Sequence, residues 1–263
     1  MAIKPRVFVT VRKSRSPTRP KSPYIDECFK RMGVRGSVYV NSQLQSSSGL
    51  GSSAAVTVAT LSAINDEFGI GRTRDEIAEI AFTIEKKVQN GRASPTDTYV
   101  CANGGMVLIT GTSKRRLPPQ SLQLVVGNTL VPHSTAKMVE LVGTLQRKHP
   151  DIADPILDAI GAVTLAALHN INNPKVLGQC MDTNNALLEA LGVGHPASSK
   201  LVLAARASGA YGAKITGAGG GGCIIALCPR RAKSRVAGAI EACEGKAIIT
   251  TIDTDGARKE KHD

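Results

Sequence analysis

Aromatic residues are scarce: four Tyr, four Phe and no Trp make up 3% of 263 residues. So few rings argue against a surface built on base stacking or an aromatic cage. Cysteines are present, but Cys28, Cys101, Cys180, Cys223, Cys228 and Cys243 never fall in a C-x-x-C pair. That spacing supports neither a zinc site nor a disulfide framework and reads as reduced, buried thiols. No apolar run reads as long enough to span a membrane, and no apolar stretch follows the basic N-terminus. A signal peptide is therefore not expected, and a cytoplasmic location follows. The G-x-x-x-x-G-K-[ST] spacing is missing, as is a G-x-G-x-x-G followed by a helix and a ribose-binding acid. Acid is short at one end. Up to Arg35, ten Lys and Arg face only Asp26 and Glu27, and that surplus of eight is most of the net +12.

What remains is ordinary globular composition, 42% hydrophobic and 21% charged. At about 150 residues per domain the length suits one large domain or two modest ones. The basic excess suits nucleic acid, a membrane surface or an anionic small substrate. With few rings and no recognisable module, specific nucleic-acid binding is disfavoured.

Short strands are predicted at Val7–Val11 and Ser37–Asn41, with Ser14–Pro23 between them as turn and linker. Val58, Leu61, Ile64 and Phe68 predict a helix over Ser52–Phe68. Thr73-x-x-Glu76 resembles a capping box ahead of a second helix with Ile77, Ile80, Ile84 and Val88 on one stripe. A loop over Arg92–Asp97 then leads to a Gly104-Gly105 turn and a strand at Met106–Thr110. The polar, basic, two-proline stretch Thr112–Gln120 is the expected domain connection, dividing the chain into residues 1–115 and 116–263. Beyond it the pattern predicts a strand at Leu122–Gly127 and helices over Ser134–Lys148, Ile152–Ile171, Pro174–Leu191 and Ser198–Ser208. A strand–glycine loop–strand unit follows over Gly212–Cys228, then a helix at Arg231–Cys243 and a strand at Ala247–Ile252. The charged tail Asp253–Asp263 is expected to fray. Helices and strands mix without regular βαβ alternation, so the expected class is α+β.

Two glycine loops carry the chemistry. In Ser46-Ser-Ser48-Gly49-Leu50-Gly51-Ser52-Ser53-Ala54-Ala55 the glycines let backbone approach a ligand as the chain enters a helix. The first N–H groups and the dipole of that helix favour an anion, and the Ser hydroxyls suit phosphate or Mg²⁺. A flexible Ser/Gly linker is the competing reading. In Lys214-Ile-Thr216-Gly217-Ala218-Gly219-Gly220-Gly221-Gly222-Cys223, four successive glycines carry a large entropic cost. That cost suits contact with a ligand, or alternatively a hairpin or bulge. Between the loops, Glu85 and Asp97 could divide the tasks of metal ligand and hydroxyl orientation in phosphoryl transfer. Either could equally be solvated, and Glu85 precedes Lys86-Lys87. His133, His149, His169, His195 and His262 lack ligand or triad spacing and are expected at the surface, with a polar contact open to His133.

Together these motifs resemble the GHMP kinase superfamily, and the stretches Ile84–Gln89 and Ala93–Tyr99 with Gly104-Gly105 look most like its archaeal mevalonate kinases. The resemblance implies a ribosomal-protein-like N-terminal domain joined to a ferredoxin-like C-terminal domain, with the active site in the cleft between them. It implies ATP-dependent phosphorylation of mevalonate, with Asp97 as the catalytic acid–base residue. Ser48, Gly49, Leu50, Gly51, Ser52, Ser53 and Ala54 would hold ATP, and Ser53 and Glu85 would ligate Mg²⁺. Thr216, Gly217, Ala218, Gly219 and Gly220 would line the active site. It implies no nucleic-acid or membrane partner and admits a homodimer. Gln45 and Ser47 stand where the family has Pro and Gly. The family's early Pro-Gly-Lys and Gly-Glu-His segment has no counterpart in residues 1–45, so the first domain is expected to be incomplete at its start with an exposed sheet edge. A catalytically impaired nucleotide-binding paralogue, or a sister kinase for another small alcohol, is the alternative.

Overall fold

The structure is a computed structural model that describes residues 1–43, 49–91, 93–111 and 113–260. Two compact units divide the chain: Met1–Ser46, Gly51–Gln120 and Ile252–Asp263 form the first, and Ser47–Leu50 with Ser121–Thr251 the second.

In the first unit, strands β1 (Val7–Lys13) and β2 (Gly36–Ser42) pair antiparallel with Val9 opposite Val40 and Val11 opposite Val38. Helices α1 (Pro23–Met32), α2 (Ser52–Phe68) and α3 (Arg74–Val88) supply most of the core, where Phe29, Leu61 and Ile64 are fully buried. The expected capping box forms. Thr73 Oγ1 accepts from the Glu76 amide, and Glu76 Oε2 accepts from the Thr73 amide at 2.9 Å. Helix α4 (Pro95–Asn103) is followed by an antiparallel hairpin, β3 (Val107–Thr110) with β4 (Ser113–Arg116).

Four expectations need correction here. The linker expected over Ser14–Pro23 gives way at its end to α1, a helix the sequence pattern does not predict. Pro23 opens it and Gly33, at φ 67°, closes it. The loop expected through Asp97 is instead the first turn of α4, entered through Ser94 and Pro95. In both cases proline occupies the first helical position, where its missing N–H is no loss. The stretch expected as a connection from 112 to 120 contains β4, and the first unit runs to its end at Gln120 before the second takes over at Ser121. The tail is anchored rather than frayed over its described part. Ile252 bridges to Ile3, and Arg6 pairs with Asp253. Asp253 Oδ1 also accepts from the amides of Asp255 and Gly256 at 3.0 and 3.1 Å.

The second unit holds a four-stranded antiparallel sheet in the order β6 (Gly212–Ile215), β7 (Cys223–Leu227), β5 (Gln123–Asn128), β8 (Lys246–Thr251). Helices α8 (Pro196–Ala207) and α9 (Lys233–Ala242) cover one face, packing Leu201, Val202, Val236 and Ile240 on Val125 and Ile224. Helix α7 (Pro174–Ala190) runs along the free edge of β6 and closes it chemically. Asp182 Oδ1 accepts from the Ala213 amide at 2.9 Å, and Asn185 Oδ1, one turn on, accepts from the Ile215 amide at 3.0 Å. An otherwise open edge is thereby satisfied. Gly178 and Gly212 permit this approach, since a Cβ on Gly212 would stand 2.0 Å from the Gly178 carbonyl oxygen.

Helices α5 (Thr135–Lys148) and α6 (Pro150–His169) complete the unit, α6 packing on α5 and α7. At 20 residues and a mean hydropathy of 1.4, α6 is long and apolar enough to cross a membrane, against the expectation that no segment reaches that length. Asp154, Pro155 and Asp158 break its apolar run in the sequence without ending the helix.

Candidate active site

Each unit brings together part of the expected site. In the first, Gly51 caps α2 in the left-handed region, at φ 69°, and Ser52, Ser53 and Ala54 form the first turn. The first N–H groups of an α-helix have no carbonyl partner within the helix, and with the helix dipole they favour an anion. Behind them, Ser53 hydrogen-bonds the Glu85 side chain. Glu85 is 4% exposed, so the solvated reading of this residue is wrong. Its Oε1 has no hydrogen-bond partner among the described residues. Burial pushes its pKa up, Ser53 holds it down, and the charge of Asp97 pushes it up again. Asp97, in the first turn of α4, is open to solvent. The protein crowding around it nevertheless raises its pKa. A Cβ on Gly51 would lie 3.4 Å from Asp97 Cγ and Oδ2, so the carboxylate rests against the bare backbone of the phosphate loop. Cys101, one turn further along α4, is pushed up to about 12 by burial and by Asp97 and Glu85, which keeps it a thiol.

In the second unit, Thr216–Gly222 connects the neighbouring antiparallel strands β6 and β7, so the loop does close a hairpin, though a long one. Its conformation is pinned from three sides. Gly220 donates to the Val193 carbonyl at 2.8 Å, and Gly222 donates to the Val131 carbonyl at 3.2 Å. Thr129 Oγ1 and the Thr129 amide both donate to the Gly222 carbonyl at 2.8 Å. Side chains have no room here: a Cβ on Gly219 would stand 2.3 Å from the Val193 carbonyl oxygen. Gly49 reaches this loop, since a Cβ on Gly217 would stand 3.0 Å from the Gly49 carbonyl oxygen. His133 packs on the other side of Gly49, half-buried rather than at the surface as expected.

Thus Ser53, Glu85, Asp97 and Gly51 come together in one unit, and Gly49 with Thr216–Gly220 in the other. Ser48 lies outside the described residues. Sequence reasoning missed the bracing by Thr129, Val131 and Val193, for which no local signal exists. It left a polar contact open to His133, which directly precedes the Ser134 cap, but expected the residue at the surface.

Residues 23–105 match the family model for the GHMP kinases N terminal domain, and residues 164–246 the model for GHMP kinases C terminal. The curated mevalonate kinase of Thermococcus sibiricus is 42% identical over 243 residues, covering 90% of this chain and 72% of that protein. The chain belongs to the GHMP kinase family. Two solved structures share its fold. The Methanococcus jannaschii mevalonate kinase matches at a TM-score of 0.83 with 22% identity, covering 96% of this chain and 90% of that one. The L. major mevalonate kinase, solved with R-mevalonate, matches at 0.82 with 22% identity, covering 97% and 89%. The α+β class and the two-domain family fold expected from the resemblance are borne out.

Among the described residues no group of three or more His, Cys, Asp or Glu forms a closed metal cage. Mg²⁺ bound together with phosphate takes one or two carboxylates and fills its other positions with water and phosphate oxygens. The buried, unpartnered Glu85 oxygen beside Ser53 is a fitting donor for it.

Proposed function

We propose that this chain is an ATP-dependent mevalonate kinase, transferring the γ-phosphoryl group of ATP to the primary hydroxyl of mevalonate to give 5-phosphomevalonate. The observation that carries the reading is 42% identity over 90% of the chain to a mevalonate kinase. The grouping of Ser53, Glu85 and Asp97 around the start of α2 adds chemical support.

In this reading Gly49, Leu50, Gly51, Ser52, Ser53 and Ala54 receive the triphosphate on backbone N–H groups and hydroxyls. Mg²⁺, when bound, neutralises charge on the phosphates, and Ser53 and Glu85 are the residues that would hold it. Asp97 accepts the hydroxyl proton of the substrate and orients the oxygen for in-line attack. Its raised pKa makes it a stronger base than an ordinary aspartate. Thr216, Gly217, Ala218, Gly219 and Gly220 present a rigid backbone surface to the reacting groups, so catalysis rests on positioning and charge stabilisation. In this reading the enzyme works in the cytoplasm and α6, which carries Asp151, Asp154 and Asp158, is a helix of the folded domain.

The test is Asp97→Asn. Mevalonate-dependent ADP release is expected to fall by about 10²–10⁴-fold with the circular dichroism spectrum unchanged. Undiminished turnover would overturn the role of Asp97. Faster wild-type turnover with phosphomevalonate, homoserine or shikimate than with mevalonate would overturn the substrate.

A further inference from the structure

His133 has no part in the mechanism above, yet its surroundings give it one. It lies between β5 and α5, one residue before the Ser134 cap. A Cβ added to Gly49 would stand 3.1 Å from both Cε1 and Nε2 of its ring, so this edge of the imidazole lies against the glycine of the phosphate loop. The opposite nitrogen, Nδ1, is buried and has no hydrogen-bond partner among the described residues.

That burial selects a tautomer. A neutral imidazole has one N–H donor and one bare acceptor nitrogen. A buried N–H left without an acceptor is rarer than an under-used acceptor, because the donor forfeits its hydrogen bond to water with nothing in return. The bare nitrogen is therefore Nδ1, and the proton resides on Nε2. The ring's only donor then lies on the edge beside Gly49, where it has no acceptor within the described residues either.

We propose that His133 is a ligand-binding residue whose Nε2–H donates a hydrogen bond to a phosphate oxygen of the nucleotide held at Gly49. The inference rests on the kinase reading above and adds a side-chain donor to a loop otherwise made of backbone and serine. Nδ1 is left free of any ligand; its burial keeps the proton on the working nitrogen.

Glutamine and asparagine separate the two nitrogens, since the Gln amide nitrogen reaches the place of Nε2 and the Asn amide nitrogen that of Nδ1. Calorimetry with a non-hydrolysable ATP analogue and Mg²⁺ would compare wild type, His133→Gln and His133→Asn, with thermal midpoints recorded for each. His133→Asn is expected to weaken binding about tenfold or more, the worth of one hydrogen bond to a charged group. His133→Gln should stay within about threefold of wild type. Equal affinity in all three proteins would overturn the inference and leave the kinase reading standing. No binding by wild type would overturn both. Long-range ¹⁵N–¹H correlation spectra of the histidine-labelled wild type provide a readout independent of the variants. Nε2–H in the free protein, with its signal moving on addition of the analogue, supports the assignment; Nδ1–H overturns it.

Discussion

Helix α2 carries its own control experiment, because it is bounded at both ends by glycines in nearly the same backbone conformation. Gly51 at its start has φ 69° and ψ 29°, and Gly69 at its end has φ 62° and ψ 39°. An alanine at either place incurs the left-handed cost of about 1–2 kcal/mol. For a protein of this size that lowers the melting temperature by about 2–4 °C per kcal/mol. The surroundings differ completely. A Cβ at Gly69 meets nothing within 4 Å, whereas one at Gly51 stands 3.4 Å from Asp97 Oδ2 and Cγ and 3.6 Å from Asp97 Cβ. These are ordinary contacts, so Gly51→Ala should not unfold the protein. The methyl nevertheless takes up space beside the carboxylate oxygen, which a substrate hydroxyl has to approach to about 2.6–3.2 Å for proton transfer. A displacement of about 1 Å costs about 10²-fold in rate. Gly51→Ala and Gly69→Ala are therefore expected to melt within a few degrees of each other. In a coupled ADP assay with mevalonate, Gly51→Ala should lose about 10²-fold in kcat while Gly69→Ala keeps wild-type turnover. Equal loss in both variants would show that strain in α2, not access to Asp97, sets the rate. Full activity in Gly51→Ala would remove Asp97 Oδ2 from the reaction path.

Two further perturbations follow from buried polar groups. The folded chain holds Glu85 above its ordinary value of 4.5. Between that value and the raised one it keeps a proton that the unfolded chain has lost, so stability falls as pH rises through this window and stays reduced above it. Glu85→Gln is thus expected to stabilise the metal-free protein at pH 8 by about 1 kcal/mol, a gain that fades toward pH 4. Mg²⁺ should raise the melting temperature of wild type but not of the variant, and a destabilised variant at pH 8 would contradict the assignment. Asn185→Ala removes the acceptor for the buried Ile215 amide at the edge of β6 and should cost about 1–3 kcal/mol in urea unfolding. Asn185→Asp keeps the acceptor but sets a second carboxylate oxygen against Glu189 Oε1, which accepts from the Asn185 side-chain amide at 3.2 Å, so it should not restore the loss; a loss below about 0.5 kcal/mol in the alanine variant would mean that the edge is satisfied in another way.

Helices with an apolar stripe and an unambiguous cap are legible in the sequence. Ser52–Phe68 agrees end to end, and the Thr73–Glu76 box closes as expected. The failures at helix starts share one cause, the treatment of proline as a breaker. Among the described residues α1, α4, α6, α7 and α8 all begin with proline at the first helical position. Of these prolines, the expected pattern starts a helix only at Pro174. At Pro23 and Pro95 it has a linker or a loop, and at Pro150 and Pro196 its helix begins two residues late. Proline has no N–H to give, and the first turn of a helix has no use for one, so Ser22-Pro23 and Ser94-Pro95 are start signals. The second error bears on function, because it turns the helix that carries Asp97 into a loop.

The candidate site is legible where chemistry lies along the chain and illegible where it lies across it. Gly49 to Ser53 and Thr216 to Gly220 stand out because consecutive glycines and serines are unusual in themselves. The contacts of Gly51 with Asp97, Gly49 with His133 and Gly219 with Val193 join residues far apart in sequence, and no spacing encodes them. Glu85 falls between these cases. Its neighbours Lys86 and Lys87 suggest a solvated run, but helical periodicity says otherwise. It lies four residues after Ala81 and eight after Ile77, both buried, and so belongs to the apolar stripe rather than to the charged face. A carboxylate at a core position of an amphipathic helix has to find a partner or a ligand, because burial penalises its charge. Ser53 supplies one partner and leaves Oε1 without another. The helical period, applied to a charged residue as strictly as to an apolar one, separates Glu85 from its lysines on spacing alone.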